Sequence, residues 1–364
     1  MMPGVDVVGF FNGEFGLAEA GRLLVRSLRS VNYPVSTILT AVPHHRNQHP
    51  FPIDQVWQYE TAIVSVNSGE LPGVYQQFGI DTFRQRYVIG QWFWELEEFP
   101  KEYHASYPYV NELWAPTKFI QESLSKYAPE NVKVVRMPLP LLSPEVDTSI
   151  ERSVFNIDND RFMFLFTFDF CSSTARKNPQ AVIKAFKQAF KENEGPILVI
   201  KSVNDHVFPG ALINLKFYAE GRKDIIFFNN HFDHSMVSAL RNLCNCYVSL
   251  HRSEGLGLTI SEAMCLGKPV IATGYSGNMD FMTEDNSIPI SWEYTFSDHT
   301  ATPYNAGLRW AEPNINEAAD AMRFVYSNEE TAKKLGERAK NDMTEKFSLE
   351  TCGQHMVDRL NNIL

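Results

Sequence analysis

Two glutamates, Glu254 and Glu262, flank a glycine turn in "HRSEGLGLTISEAMCLGKPVIAT". An ionised carboxylate only accepts hydrogen bonds, and its two oxygens can hold two neighbouring hydroxyls at once. Gly255 and Gly257 let the backbone come close to a ligand or take positive φ. The apolar spacing that follows predicts a helix from about Leu258, so its first N–H groups are free to meet an anion such as a phosphate. One short stretch thus offers donors for phosphate and two acids for two separate diols. Diphosphate, ribose diol and hexose diol are the parts of a nucleotide sugar. Taken singly, a loop glutamate is usually a solvated acid; position at a strand end and the apolar surroundings argue otherwise here.

That chemistry needs a scaffold. "CYVSLH" and "KPVIAT" on either side read as buried strands, so the glutamate loop follows a strand and precedes a helix. The same alternation runs along the chain. "VDVVGFF", "YPVSTIL", "TAIVSVN", "RYVIGQWFWE", "NELWAPT" and "NVKVVRMPLP" are strand-like in the first part. A second cycle begins at Phe162 with "FMFLFTFDF", the amphipathic "NPQAVIKAFKQAFKEN" and the strand "GPILVIKS". Alternating apolar strands and helices imply parallel sheets covered on both faces, and such sheets bind ligands at the carboxyl ends of their strands. The proline- and charge-rich Met137–Asp160 reads as a linker. The expected organisation is therefore α/β. A first Rossmann-like domain spans residues 1–150 and a second 151–343, the two facing each other across a cleft. A C-terminal helix, 344–364, is placed to pack back on the first domain.

Bulk composition sets limits. The chain has 364 residues, a net charge of −10 and 13% aromatic residues. So acidic a protein is a poor binder of nucleic acid, and any anionic ligand must be met by a local group of cations or amides. Five cysteines without a CxxC pair fit reduced, buried thiols in a cytoplasmic protein. No apolar run is long enough to span a membrane, and the start "MMPGVDVVGFFNG" reads as a first strand, not as a signal peptide. Gly13, Gly16 and Gly21 do not form the GxGxxG fingerprint, and no acid follows at dinucleotide spacing, which disfavours an NAD enzyme. The histidines of "PHHRNQH" (His44, His45, His49) fit no common metal spacing. "DND" at Asp158–Asp160 lies in the linker, not after a buried strand.

The glutamate stretch closely resembles the E-x7-E signature of glycosyltransferase family 4, whose members are retaining enzymes of the GT-B fold. The likeness continues through "GYSGNMDFM", "FDFCSSTARKNPQAVIKAF" and "WAEPNINEAADAMRFVYSN", and is weaker over the first 150 residues. The resemblance implies a retaining, metal-independent hexosyltransferase with no cofactor beyond its nucleotide-sugar donor, GDP-mannose by family habit, with UDP- and dTDP-sugars open. The implied acceptor is a glycan or lipid-linked glycan in surface polysaccharide synthesis, with peripheral attachment at the inner face of a membrane compatible with it.

Carried over by position, Glu254 is implied beside the hexose hydroxyls, Glu262 at the ribose, and Lys177 at the diphosphate. Cys171 stands where the family usually has an arginine, and Arg176 is the expected substitute. Gly16, Lys201, His251, Gly255, Leu256, Gly257 and Leu258 complete the expected donor site. Where related enzymes often carry a histidine, the aromatic stretch Gly90–Phe119 offers Trp94 and Glu95 for the acceptor. These departures leave a second expectation open, a protein of the same fold that binds a nucleotide sugar or glycan without transferring it.

Overall fold

The structure is a computed structural model, and it describes residues 3–40, 46–208, 210–299, 301 and 304–363. Its contacts divide the chain into two compact units, residues 1–141 with 345–364, and residues 142–344. The first unit ends before the expected 150, inside the Met137–Asp160 stretch.

The first unit is built on a six-stranded sheet of β1 (Val5–Gly9), β2 (Val35–Leu39), β3 (Thr61–Ser65), β4 (Tyr87–Gln91), β5 (Glu112–Ala115) and β6 (Lys133–Arg136). The strands are parallel, in the order β2-β1-β3-β4-β5-β6. β1 and β3 are wholly buried, as strands covered on both faces must be. The helix Gly16–Ser30 follows β1, and the C-terminal helix Leu349–Asn361 packs on it. Gly353 makes that crossing possible, because a Cβ there would lie 2.3 Å from the Ser27 carbonyl oxygen. Arg359 fastens the same helix to β5. Its Nε lies 2.9 Å from Glu112 Oε1, which also accepts from Trp114 Nε1 at 2.8 Å. Glu112 is fully buried, so this pair clamps a helix from the end of the chain to the interior of the first sheet.

The second unit repeats the plan. Its strands are β7 (Met163–Asp169), β8 (Ile197–Val203), β9 (Ile225–Phe228), β10 (Cys246–Ser249), β11 (Val270–Thr273) and β12 (Ile288–Ile290). They are parallel, in the order β12-β11-β10-β7-β8-β9. Phe164, Phe166, Phe186, Ile200 and Val248 form the middle of its core. The chain adds an antiparallel hairpin, β13 (Trp292–Phe296) with β14 (Arg309–Pro313), before the helix Ile315–Ser327.

The strand order has a consequence for function. β7, β8 and β9 run outward in one direction, and β10 then returns to the other side of β7. The loops leaving β7 and β10 therefore diverge from neighbouring strands at the carboxyl edge. That is the topological switch point, where open α/β sheets leave a crevice for a ligand. β7 and β10 pair directly, Leu165 opposite Tyr247.

Candidate functional site

The loop after β7 carries Arg176 and Lys177, and the loop after β10 carries Glu254. The short helix Thr174–Lys177 is set between Ser173 and Asn178, both at positive φ (65° and 53°). Lys177 Nζ lies 2.5 Å from Glu254 Oε1, and Arg176 Nη1 lies 3.1 Å from Glu254 Oε2. Arg176 also donates to the Ser253 carbonyl at 2.8 Å and sits 5.9 Å from the centre of the Tyr304 ring. Glu254 is only 7% exposed. Burial is the largest influence on its carboxyl and works to raise its pKa; Lys177, Arg176 and His251 outweigh it and hold it at about 2. The carboxylate is thus ionised and shared by two cations. The three side chains together carry a net positive charge in a chain of −10.

The glutamate loop is stapled to the turn after β11. Gly277 N donates to the Glu254 carbonyl at 2.8 Å, and Glu254 N donates to Ser276 Oγ at 2.8 Å. Ser276 takes a φ of 74°, an uncommon conformation for serine that its hydrogen bonds maintain. A Cβ on Gly277 would lie 1.8 Å from the Gly255 carbonyl oxygen, so the two loops meet backbone to backbone. Gly257, at φ 85°, begins the helix Leu258–Cys265, and no side chain caps it. Its leading N–H groups are left for solvent or for an anion. Leu256 is buried beneath the loop.

The other expected residues fall into distinct places. Glu262 lies on Leu258–Cys265 and is held by Arg241 of the preceding helix, Nη1 to Oε2 at 2.8 Å. Arg241 is buried, and its Nε has no hydrogen-bond partner. No motif marks this arginine in the sequence; only the fold brings it to Glu262. Arg252, which by its place before Glu254 is also a candidate for the sugar or a phosphate, braces the basic loop. It reaches Glu312 Oε2 at 2.6 Å and the Ala175 carbonyl at 2.6 Å, which ties the hairpin strand β14 to the basic loop.

His251 and Lys201, both expected at the donor, are enclosed in the structure. His251 is fully buried, and its ring faces Ser249 Oγ at 3.2 Å, Asn278 Oδ1 at 3.0 Å and the Tyr275 carbonyl at 3.3 Å. Burial lowers its pKa. Its ring ties the glutamate loop to the turn after β11. Lys201 is also buried, 3% exposed, with Nζ bound to the Ser202 and Asn230 carbonyls at 2.8 and 2.9 Å and set over the Phe232 ring. Desolvation pulls its pKa down to about 8. Its ammonium ties the end of β8 to the loop after β9.

Gly16, Trp94 and Glu95 belong to the first unit. Gly16 is exposed and opens the helix after β1. Trp94 is half-buried, edge-on to Phe99 and Tyr103, and donates to the Glu98 carbonyl at 2.8 Å. Glu95 is half-buried. His44 and His45 lie outside the described residues. Among the described residues no group of three or more His, Cys, Asp or Glu is arranged to hold a metal ion.

Known proteins show the same organisation. The sequence model of glycosyl transferases group 1 matches residues 148–342. An uncharacterized glycosyltransferase of Methanocaldococcus jannaschii is 28% identical over 177 residues, 46% of this chain and 44% of the relative, so the match spans less than half of that protein. Among solved structures, sucrose-phosphate synthase of Thermosynechococcus elongatus superposes with a TM-score of 0.68 at 14% identity, over 99% of both chains. Anabaena HepE, solved with UDP and glucose, superposes with a TM-score of 0.71 at 13% identity, over 99% of this chain and 100% of the other. At such identities the likeness is one of fold.

Proposed function

This chain belongs to the glycosyl transferases group 1, and on that premise we propose that it transfers a hexose from a nucleotide sugar to a hydroxyl of a glycan or lipid-linked acceptor. The observation that carries this reading is the Arg176–Lys177–Glu254 cluster at the switch point of the second sheet. A leaving nucleoside diphosphate gathers negative charge as its bond to the sugar breaks, and groups already aimed at that charge lower the barrier. Arg176 and Lys177 supply it from side chains, and the uncapped start of Leu258–Cys265 supplies it from backbone amides.

Without donor, the two cations are neutralised in part by Glu254. With donor, the diphosphate competes for them, and a Glu254 carboxylate released from Lys177 accepts from the hexose hydroxyls. Glu262, oriented by Arg241, takes the ribose diol. The acceptor oxygen forms the new bond to the anomeric carbon on the face that the diphosphate leaves. The diphosphate oxygen departs with the bonding pair and takes the acceptor's proton. The anomeric configuration is retained. Charge compensation comes from the protein in this reading, so transfer is expected to survive a chelator. That HepE was solved with UDP and glucose supports keeping UDP-glucose beside GDP-mannose as donors to try. The acceptor in this reading is a growing surface glycan or a lipid-linked glycan, with Trp94 and Glu95 of the first unit as its candidate contacts.

The experiment is to incubate the protein with GDP-mannose, UDP-glucose and a dTDP-sugar and to measure nucleoside-diphosphate release, with and without glycan acceptors. Release that disappears in Lys177→Ala and Glu254→Ala is the expected result. Binding of a donor with no release under any condition would leave a binding protein and discard the transferase reading.

A further inference from the structure

One helix of the second unit leaves a large apolar face in water. In Ala211–Tyr218, Leu215 packs into the core, but Ile213 and Phe217 are 73% and 81% exposed. Four residues apart, they stand one above the other on one side of the helix. Val207, Phe208 and Tyr218 are exposed in the same stretch of chain. Single apolar side chains on a surface are ordinary, whereas five large ones within twelve residues form a patch that calls for a covering partner.

The charges around the patch identify the partner. The helix Pro179–Ala189 packs next to Ala211–Tyr218. Together with Glu220 just beyond, the two helices carry Lys184, Lys187, Lys216 and a single acid, Glu220, which Lys187 already pairs at 2.7 Å. Lys184 Nζ stands 5.6 Å from the ring centre of the exposed Tyr218, and Lys216 lies on the same helix, next to Phe217 in sequence. These two helices are locally cationic in a chain whose net charge is −10. Apolar side chains ringed by lysines complement a bilayer surface that carries anionic headgroups. A second copy of the chain is a poorer occupant, because a two-fold contact through this face would set lysines against lysines.

We infer that this face docks on a bilayer containing anionic phospholipid, with Ile213 and Phe217 entering the acyl boundary and Lys184 and Lys216 meeting the phosphates. The contact lies on the membrane and does not cross it: no helix of the described residues is long and apolar enough to span. The inference stands on the surface alone and needs no donor, so it is tested apart from the transferase reading.

The test is cosedimentation of the full chain with vesicles of phosphatidylcholine, alone or mixed with phosphatidylglycerol, combined with light scattering. The expected result is binding to the mixed vesicles that weakens with salt, and that falls by about tenfold or more in the double variant Ile213→Ser/Phe217→Ser. The pair Lys184→Glu and Lys216→Glu, which leaves the apolar side chains in place, is expected to weaken binding to the mixed vesicles only. Failure to bind anionic vesicles would overturn the inference, as would undiminished binding by the double variant. A dimer that the double variant converts to a monomer, in protein that binds no vesicle, would assign the face to a second copy instead.

Discussion

Lys177 Nζ and Glu254 Oε1 meet at 2.5 Å although 77 residues separate them in the chain. The contact exists because β7 and β10 are neighbours in the sheet, so the two loops that follow them share one edge. Arg176 completes the cluster from the other carboxylate oxygen. Removing either charge sign from this buried group has a defined consequence.

Lys177→Met is expected to lower kcat by about 100-fold or more, the magnitude seen when one aimed donor is lost from a charge-stabilising site. Steady-state kinetics with a saturating nucleotide sugar check it. Glu254→Ala leaves Arg176 and Lys177 without their counter-charge, so a stability loss of about 3 kcal/mol accompanies the lost activity. Denaturant titration reads that loss.

The acid limb of the stability profile follows from the same glutamate. Its folded pKa, about 2, lies below the unfolded value of 4.5, so the unfolded state binds more protons between them. The stability that this ionisation contributes is complete above 4.5 and is lost as pH falls toward 2. Glu254→Gln is expected to show a shallower decline over that window in denaturant midpoints.

Lys201 acts with the opposite sign at the other end of the scale. Its folded pKa is about 8 against 10.5 unfolded, so burial of the charged form opposes folding below pH 8. That opposition is relieved as pH rises from 8 to 10.5. Relative to wild type, Lys201→Met should lose this alkaline gain, measurable as a flatter dependence of melting temperature on pH across that range.

Gly277→Ala tests the staple between the two loops. A methyl group 1.8 Å from the Gly255 carbonyl forces the backbones apart. A stability cost of about 1–3 kcal/mol is expected from the overpacking, together with a higher KM for the donor. A variant with wild-type stability and kinetics would show that the loops part freely.

Arg241→Gln separates holding the donor from turning it over. With Arg241 gone, Glu262 loses the group that orients it 2.8 Å away. Donor KM is expected to rise on the order of tenfold while kcat changes little, the pattern of lost uniform binding. Arg241→Lys should recover part of that loss.

Much of this protein could be read without coordinates, for local reasons. Parallel strands covered on both faces must be continuous apolar runs, so "FMFLFTFDF" and "TAIVSVN" announced themselves, and each intervening helix carried its own apolar spacing. Glu254 stood out because glycines on a strand-to-helix loop have few other uses. What local sequence could not carry was partnership. His251 lies three residues before Glu254 in the chain, and only the fold shows its ring set against Ser249, Tyr275 and Asn278. Nor does the sequence show that the Lys201 ammonium binds the carbonyls of Ser202 and Asn230. The hairpin β13–β14 went unread because its pairing is antiparallel and breaks the alternation.

The order of residues alone determined which segments are strands, which are helices, and where glycine frees the backbone, since these depend on side chains a few positions apart. The meeting of Lys177 with Glu254, the grip of Arg241 on Glu262 and the exposure of Phe217 were decided by the fold. Each depends on which strand or helix lies next to which, and sheet order is set by burying apolar area over the whole unit, not by any short stretch.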